Sequence, residues 1–240
     1  MTQVPQSKRL PLKPRAPIEA LIRRGDTEAL LRKAGELHGH FCPNVALGVR
    51  AGVVALKALG IEQNLGMEEV IAIVETNNCF ADGIQVVTGC TFANNALVYR
   101  DLGKTAVTLA RRDGAGVRVA LRGHYTNSWP VRYPEAMALF QKIVKERQEA
   151  TPEEQERLMQ VWAETSFKQL DVPEQELFTV QQVQIKMPAY APILASVTCA
   201  VCGEQLMETR ARLRNGRPVC ISCASAPHYS LDGAGIAVEV

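Results

Sequence analysis

The chain has no apolar run approaching the roughly 20 residues that a membrane-spanning helix needs. Its longest candidate, residues 45–59, is interrupted by Arg50 and Lys57. There is also no N-terminal apolar stretch of the kind that a secretory signal carries. A cytoplasmic location is therefore expected, with cysteines kept as thiols or metal ligands rather than disulfides. Excess charge is missing too: 27 basic against 25 acidic residues leave +2, too little to point to nucleic acid or a membrane as partner. The basic excess sits between residues 8 and 24, where Lys8, Arg9, Lys13, Arg15, Arg23 and Arg24 face the one acid Glu19. That stretch reads as a solvated leader before it reads as a nucleic-acid arm. No internal repeat or low-complexity tract is visible.

Cysteine is what the chain has. Cys199-Ala-Val-Cys202-Gly is followed after 17 residues by Cys220-Ile-Ser-Cys223, a spacing that predicts a four-thiolate zinc site. Each C-x-x-C turn presents two sulfurs to one side of an ion, and two turns close a tetrahedron. Between the pairs, residues 208–214 alternate like a strand, and Asn215-Gly216 is a hairpin turn signal. The last pair is expected to open a short helix ending at Pro227. Knuckle, hairpin and helix together read as a treble-clef finger or zinc ribbon. With four thiolates the site is closed, so the zinc is structural.

Upstream, residues 1–17 hold four prolines, and an irregular basic leader is expected over 1–25. Asp26 is placed to cap a helix running to about Leu37, with Leu30, Ala34 and Leu37 inward and His38 at its end. Pro43 opens a second, nearly all-apolar helix that stops at Gly60. Arg50 and Lys57 mark its wet stripe, and Gly48 and Gly52 admit a close neighbour. Residues 70–74 read as an interior strand, and residues 84–88 as helical. Strands are expected at 97–102, 105–111, 117–121 and 177–187. Helices are expected at 134–149 and, from the capping box Thr151-Pro-Glu-Glu154, through Leu170. Strands that cluster instead of alternating with helices favour an α+β fold, with a mainly antiparallel sheet packed with helices. The domains expected are a core over 26–190 and a finger with tail over 193–240.

Chemistry concentrates at two chain junctions. His38-Gly-His40-Phe-Cys42-Pro puts three borderline or soft ligands within five residues, and extended backbone at Gly39 lets alternate side chains point one way. Cys42 precedes a helix N-terminus, whose partial positive charge favours a thiolate. Cys79 stands at the end of the interior strand, where ligand sites often form. Taken singly, a buried cysteine or histidine is as readily a packed core residue. Cys90, His124 and His228 are expected to be structural or exposed.

These residues resemble the FmdE family, named for a component of formylmethanofuran dehydrogenase. The resemblance rests on His38-Gly-His40-Phe-Cys42-Pro43, on the glycine-bearing helix behind it, and on Asn78-Cys79-Phe-Ala-Asp82-Gly83-Ile-Gln. It continues through Thr88-Gly89-Cys90-Thr91 and Asp101-Leu-Gly103-Lys104. Asn44 and Ala93 stand where the family pattern often has glycine. The resemblance implies an α+β core, a homodimer, and a metal cleft lined by the H-G-H-x-C segment and the cysteine after the strand. It also implies a link to molybdenum or tungsten enzymes that handle formyl groups or formate.

The leading functional expectation is a metal-binding accessory protein for such a redox enzyme. His38, His40, Cys42 and Cys79 would hold a divalent metal, Zn2+ before others, and Asp82 would support it or carry a proton. Two other classes stand beside it. A zinc-finger adaptor for protein or nucleic acid would use Arg210, Arg212, Arg214 and Arg217. Against nucleic acid, residues 196–240 balance four basic with four acidic side chains and lack interleaved aromatics. A thiol enzyme would use Cys42 as nucleophile with His38 or His40 as base.

Overall fold

The computed structural model describes residues 12–239 and divides into two compact units, Met1–Met187 and Pro188–Val240. Residues 1–11 of the expected irregular leader lie outside the described residues. Residues 12–15 are irregular, but residues 16–24 of that leader are helical instead. Pro17 in the first turn and left-handed Gly25 (φ 68) bracket helix α1, Ala16–Arg24. Nor is the leader wholly solvated, since the Arg15 guanidinium donates to Val86 O (3.1 Å) and Val87 O (2.8 Å).

Helix α2 spans Thr27–His38, with Asp26 Oδ1 accepting from Ala29 N at 3.0 Å. Its buried residues are Leu30, Leu31, Ala34 and Gly35, whereas Leu37 is 57% exposed. At 100° per residue Leu37 lies roughly 90° from the centre of that stripe, which corrects its inward placement. Helix α3, Pro43–Leu59, is buried on nearly every side and ends at left-handed Gly60 (φ 62). Arg50 is not part of a wet stripe. Its guanidinium donates to Gln169 O and Val172 O (3.0 Å each) and to Leu170 O, closing carbonyls that the end of a later helix leaves without partners.

Strand β1, Val70–Val74, is buried at all five positions. Helix α4, Phe80–Thr88, follows, beginning four residues earlier than the periodicity predicts. Then come β2 (Leu97–Tyr99), β3 (Ala106–Arg111) and β4 (Ala115–Leu121). The chain leaves the sheet after Tyr99, so the strand expected to run to Leu102 is shorter. Short helices α5 (Gly123–Asn127), α6 (Trp129–Arg132) and α7 (Pro134–Leu139) lead into a π-helical segment, Phe140–Lys145. The single helix expected over 134–149 is thus corrected: it widens to π geometry and stops at Lys145, before Arg147 turns left-handed (φ 54). Helix α8, Pro152–Lys168, carries the Thr151–Glu154 capping box in both directions. A 3-10 turn, helix α9 (Glu174–Leu177) and strand β5 (Phe178–Gln184) complete the unit.

The sheet order is β2-β1-β3-β4-β5. β1 pairs with β2 in parallel, and every other pairing in this sheet is antiparallel. Mixed helices and antiparallel-rich sheets make the fold α+β. Helix α3 packs on β3 and β4 and, most extensively, on α4. Glycines set that helix pair. A methyl group at Gly48 would strike the Phe80 carbonyl and approach Gly83, and one at Gly52 would meet Val87 at 3.0 Å. Because four residues forward on α3 corresponds to four forward on α4, the two helices run parallel, with their N-termini at one end.

In the second unit β6 (Ser196–Thr198) pairs with β7 (Gln205–Met207), and β8 (Arg212–Arg214) with β9 (Arg217–Val219). Asn215 and Gly216 both have positive φ (51 and 74), the primed hairpin geometry. Residues 208–210 form a 3-10 turn, so the strand is shorter than the alternation predicts. Residues 221–225 are turns rather than the expected helix, with Ser225 left-handed at φ 48. Strands β10 (His228–Asp232) and β11 (Gly235–Glu239) form the last hairpin.

Gly48→Val is expected to force α3 and α4 apart and cost at least about 2 kcal/mol, a fall of roughly 4–8 °C in melting temperature. Calorimetry checks this; an unchanged melting temperature would refute the glycine contact.

Candidate metal centre

His38, Cys42 and Cys79 sit at helix ends, and His40 lies in the connection between α2 and α3. His38 is the last residue of α2, and left-handed Gly39 (φ 89) reverses the chain behind it. His40 and Phe41 then lead to Cys42, the extended N-cap of α3 (φ −139). Cys79 is the N-cap of α4. Since α3 and α4 run parallel, both thiols come to the same end of the helix pair. The side-chain ligand atoms of His38, His40 and Cys42 all lie within 4.8 Å of one another. Cys79 falls outside that triplet, yet it is near enough to Cys42 and His38 for both to shift its pKa.

Two partners orient His38. Its Nδ1 lies 2.7 Å from Asp82 Oδ2, while its Nε2 is 3.9 Å from Cys42 Sγ. A carboxylate only accepts, so Nδ1–H donates, and in the neutral imidazole Nε2 would carry the lone pair. Asp82, third residue of α4, is itself held by Gln85 Nε2 donating to Oδ1 at 3.0 Å. Carboxylate behind imidazole, with the far nitrogen directed at thiols, is the arrangement that fixes tautomer and basicity in metal-binding histidines.

His40 has its ring centroid 4.5 Å from that of His38 and stacks on Trp162 at 5.7 Å and 23°. Burial first, and the neighbouring His38 second, lower its pKa, which keeps the imidazole neutral and able to ligate. The two thiols divide unequally. Hydrogen bonding from Cys42, helped by His38, draws Cys79 down to about 6. The same bond, followed by burial, pushes Cys42 up. Backbone N–H groups of Asn44 and Val45 work the other way and favour charge on the Cys42 sulfur.

His40, Cys42 and Cys79 line a cavity of about 340 Å3, and Trp129, Tyr133, Met137, Phe140 and Trp162 supply much of its wall. The wall is absent from the expectations drawn from sequence, although a signal for it exists. Positions 129, 133, 136, 137, 140 and 144 follow helical spacing, but Pro130 and Pro134 break the run into short helices. Arg157 joins α8 to α7 through Glu135 at 2.6 and 2.7 Å, which ties the two sides of the wall together.

In the second unit the sulfurs of Cys199, Cys202, Cys220 and Cys223 lie within 4.8 Å of one another. Sulfurs held about 2.3 Å from zinc in a tetrahedron stand about 3.8 Å apart, so the four fit the ion. Backbone N–H groups of Cys202, Cys220 and Val201 draw Cys199 down to about 6. Cys220 N donates to Cys199 Sγ and Cys223 N to Cys220 Sγ, both at 3.3 Å. Of the remaining histidines and cysteines, His124 and His228 are exposed, while Cys90 is buried and bonded to Val70 O.

An α+β core with a histidine–cysteine cluster, followed by a four-thiolate finger, defines a metal-binding protein of two units. The model described as FmdE, molybdenum formylmethanofuran dehydrogenase operon, matches residues 37–179, which include all four core candidates. The chain belongs to the FmdE family. Residues 192–227 match the prokaryotic dksA/traR C4-type zinc finger and include its four cysteines. A protein of Archaeoglobus fulgidus described as a probable S-adenosyl-L-methionine-binding protein is 45% identical over 214 residues, 86% of this chain and 55% of that protein. The chain thus spans about half the length of that relative. A tungsten formylmethanofuran dehydrogenase FmdE-like protein from Syntrophus aciditrophicus shares the fold at a TM-score of 0.51 and 23% identity, over 82% of this chain and 91% of that one. Among the described residues no helix is long and apolar enough to cross a membrane.

Asp82→Asn is expected to weaken metal binding in the core about 10–100-fold while leaving the finger untouched. Competition with a chromophoric chelator measures both sites; equal affinity in mutant and parent would remove Asp82 from the site.

Proposed function

We propose that the protein carries two zinc ions, a structural one in the finger and a second one in the core, and acts as an accessory to a molybdenum or tungsten enzyme that handles formyl groups or formate. The observation that carries the core site is the meeting of His38, His40 and Cys42, with Asp82 set behind His38. Three nitrogen and sulfur ligands with a further position open are the pattern of zinc sites that act on small molecules. When bound, zinc supplies a Lewis acid that polarises an oxygen or sulfur ligand. Cys79 stands beside the open side as a fourth ligand or a proton acceptor, and Asp82 holds the His38 proton at Nδ1. The adjoining cavity gives a ligand access without passing through the packed core. A homodimer and a cytoplasmic location belong to this reading.

The link to a molybdenum or tungsten enzyme is supported by the description of the family as part of that operon. The binding of S-adenosylmethionine named for the Archaeoglobus fulgidus relative is not carried over. Nearly half of that protein has no counterpart here, and no carboxylate among the described residues lines the cavity to meet the ligand's ammonium and hydroxyl groups.

The adaptor reading keeps the exposed Arg210, Arg212, Arg214 and Arg217, but Arg214 already donates to Cys223 O at 2.6 Å, inside the finger itself. The thiol-enzyme reading loses support at Cys42, whose thiol is buried and pushed up.

Elemental analysis of the purified chain tests the proposal. Two zinc ions per chain are expected. His40→Ala or Cys42→Ala should each remove one, and Cys199→Ala the other. A single ion, retained by both core variants, would end the case for a core centre.

A further inference from the structure

The cavity beside the metal ligands differs in chemistry from an ordinary hydrolytic cleft. None of the described residues that line it is charged. Away from the ligand residues, a carboxylate, phosphate or ammonium group would therefore shed its water there without a counter-charge, which is strongly unfavourable. Its walls are mainly aromatic rings and a methionine, with Asn44, Tyr133 and Thr165 as uncharged polar groups, and His40, Cys42 and Cys79 bring the candidate ligand atoms. At about 340 Å3 it lies at the small end of the range for ligand sites, roughly 300–1,000 Å3. Phe140 and Val144 enter it from the π-helical segment, a geometry frequent at functional sites.

We propose that this cavity binds an uncharged thiol with an aromatic or branched hydrocarbon body, its sulfur directed at His40, Cys42 and Cys79. The inference rests on the core metal centre proposed above. Zinc is a borderline ion that thiolates bind well, so a sulfur donor is the strongest uncharged candidate for the open position. An ion held by His40 and Cys42 would favour the thiolate form of such a ligand, whose proton would pass to solvent. Nothing is oxidised or reduced. The apolar body replaces water against Trp129, Phe140 and Trp162, where burial contributes about 25 cal/mol per Å2.

The chain has only two tryptophans, and both line this cavity. Intrinsic fluorescence of the zinc-loaded full chain therefore reports on this cavity. Titration with benzyl mercaptan under a non-thiol reductant is expected to give a saturable change with one site per chain. Benzyl alcohol, which lacks the sulfur, and 3-mercaptopropionate, which adds a charge, should each bind at least about tenfold more weakly. Val144→Phe, which fills the cavity, should weaken benzyl mercaptan by at least about tenfold with zinc content unchanged. Trp129→Phe leaves Trp162 as the sole reporter and should retain the saturable change, which keeps the test decisive if the larger side chain disturbs folding. Two zinc ions with no saturable change, or equal binding of all three probes, would overturn the thiol site and leave the metal centre standing. A chain holding only the finger's zinc would overturn both.

Discussion

The site depends on one contact, the glycine-mediated approach of α3 to α4. Gly48 against Phe80 and Gly83, and Gly52 against Val87, set the two helices close together and parallel. Each helix begins with a cysteine at its N-cap. The packing therefore brings Cys42 and Cys79 together, although 36 residues of chain lie between them. Any side chain at Gly48 would separate the helices at the end where the thiols meet. Stability and chemistry thus draw on the same interface, because the helices that bury the core also aim its ligands.

Around that interface the supporting groups act in sequence. Gly39 ends α2 and turns His38 and His40 toward the thiols. Asp82, fixed by Gln85, settles which nitrogen of His38 faces them. Trp162 holds the His40 ring from the far side and links the cluster to the aromatic wall. Arg50 ties α3 to the end of α8 through backbone carbonyls, so the wall and the cluster are anchored to the same helix. The finger, by contrast, is a self-contained solution: four sulfurs, two tight turns and N–H groups directed at sulfur need little else from the chain.

Legibility from sequence follows range. The H-G-H-x-C segment, the Asp26 cap, the Thr151–Glu154 capping box and the paired C-x-x-C turns are local, so residue spacing alone describes them. The interior strand at 70–74 is equally plain from its unbroken apolar run. Cys79 can be placed at the end of that strand but not beside Cys42, because their meeting depends on the direction of α3 against α4. Arg50 reads as solvated because its partners lie about 120 residues away. Leu37 reads as inward because a single-residue periodicity does not locate the centre of a stripe. The aromatic wall is hidden because prolines cut its helical spacing into short pieces. In the finger, the small residues after Cys223 have helical propensity, but the cluster holds that segment in turns.

X-ray absorption at the zinc edge, on the full chain as purified, tests the central claim most directly. A mixed first shell is predicted, with nitrogen at about 2.0–2.1 Å from His38 and His40 as well as sulfur at about 2.3 Å. A shell of sulfur alone, four per zinc, would mean that the finger is the chain's one metal site and would contradict the core centre.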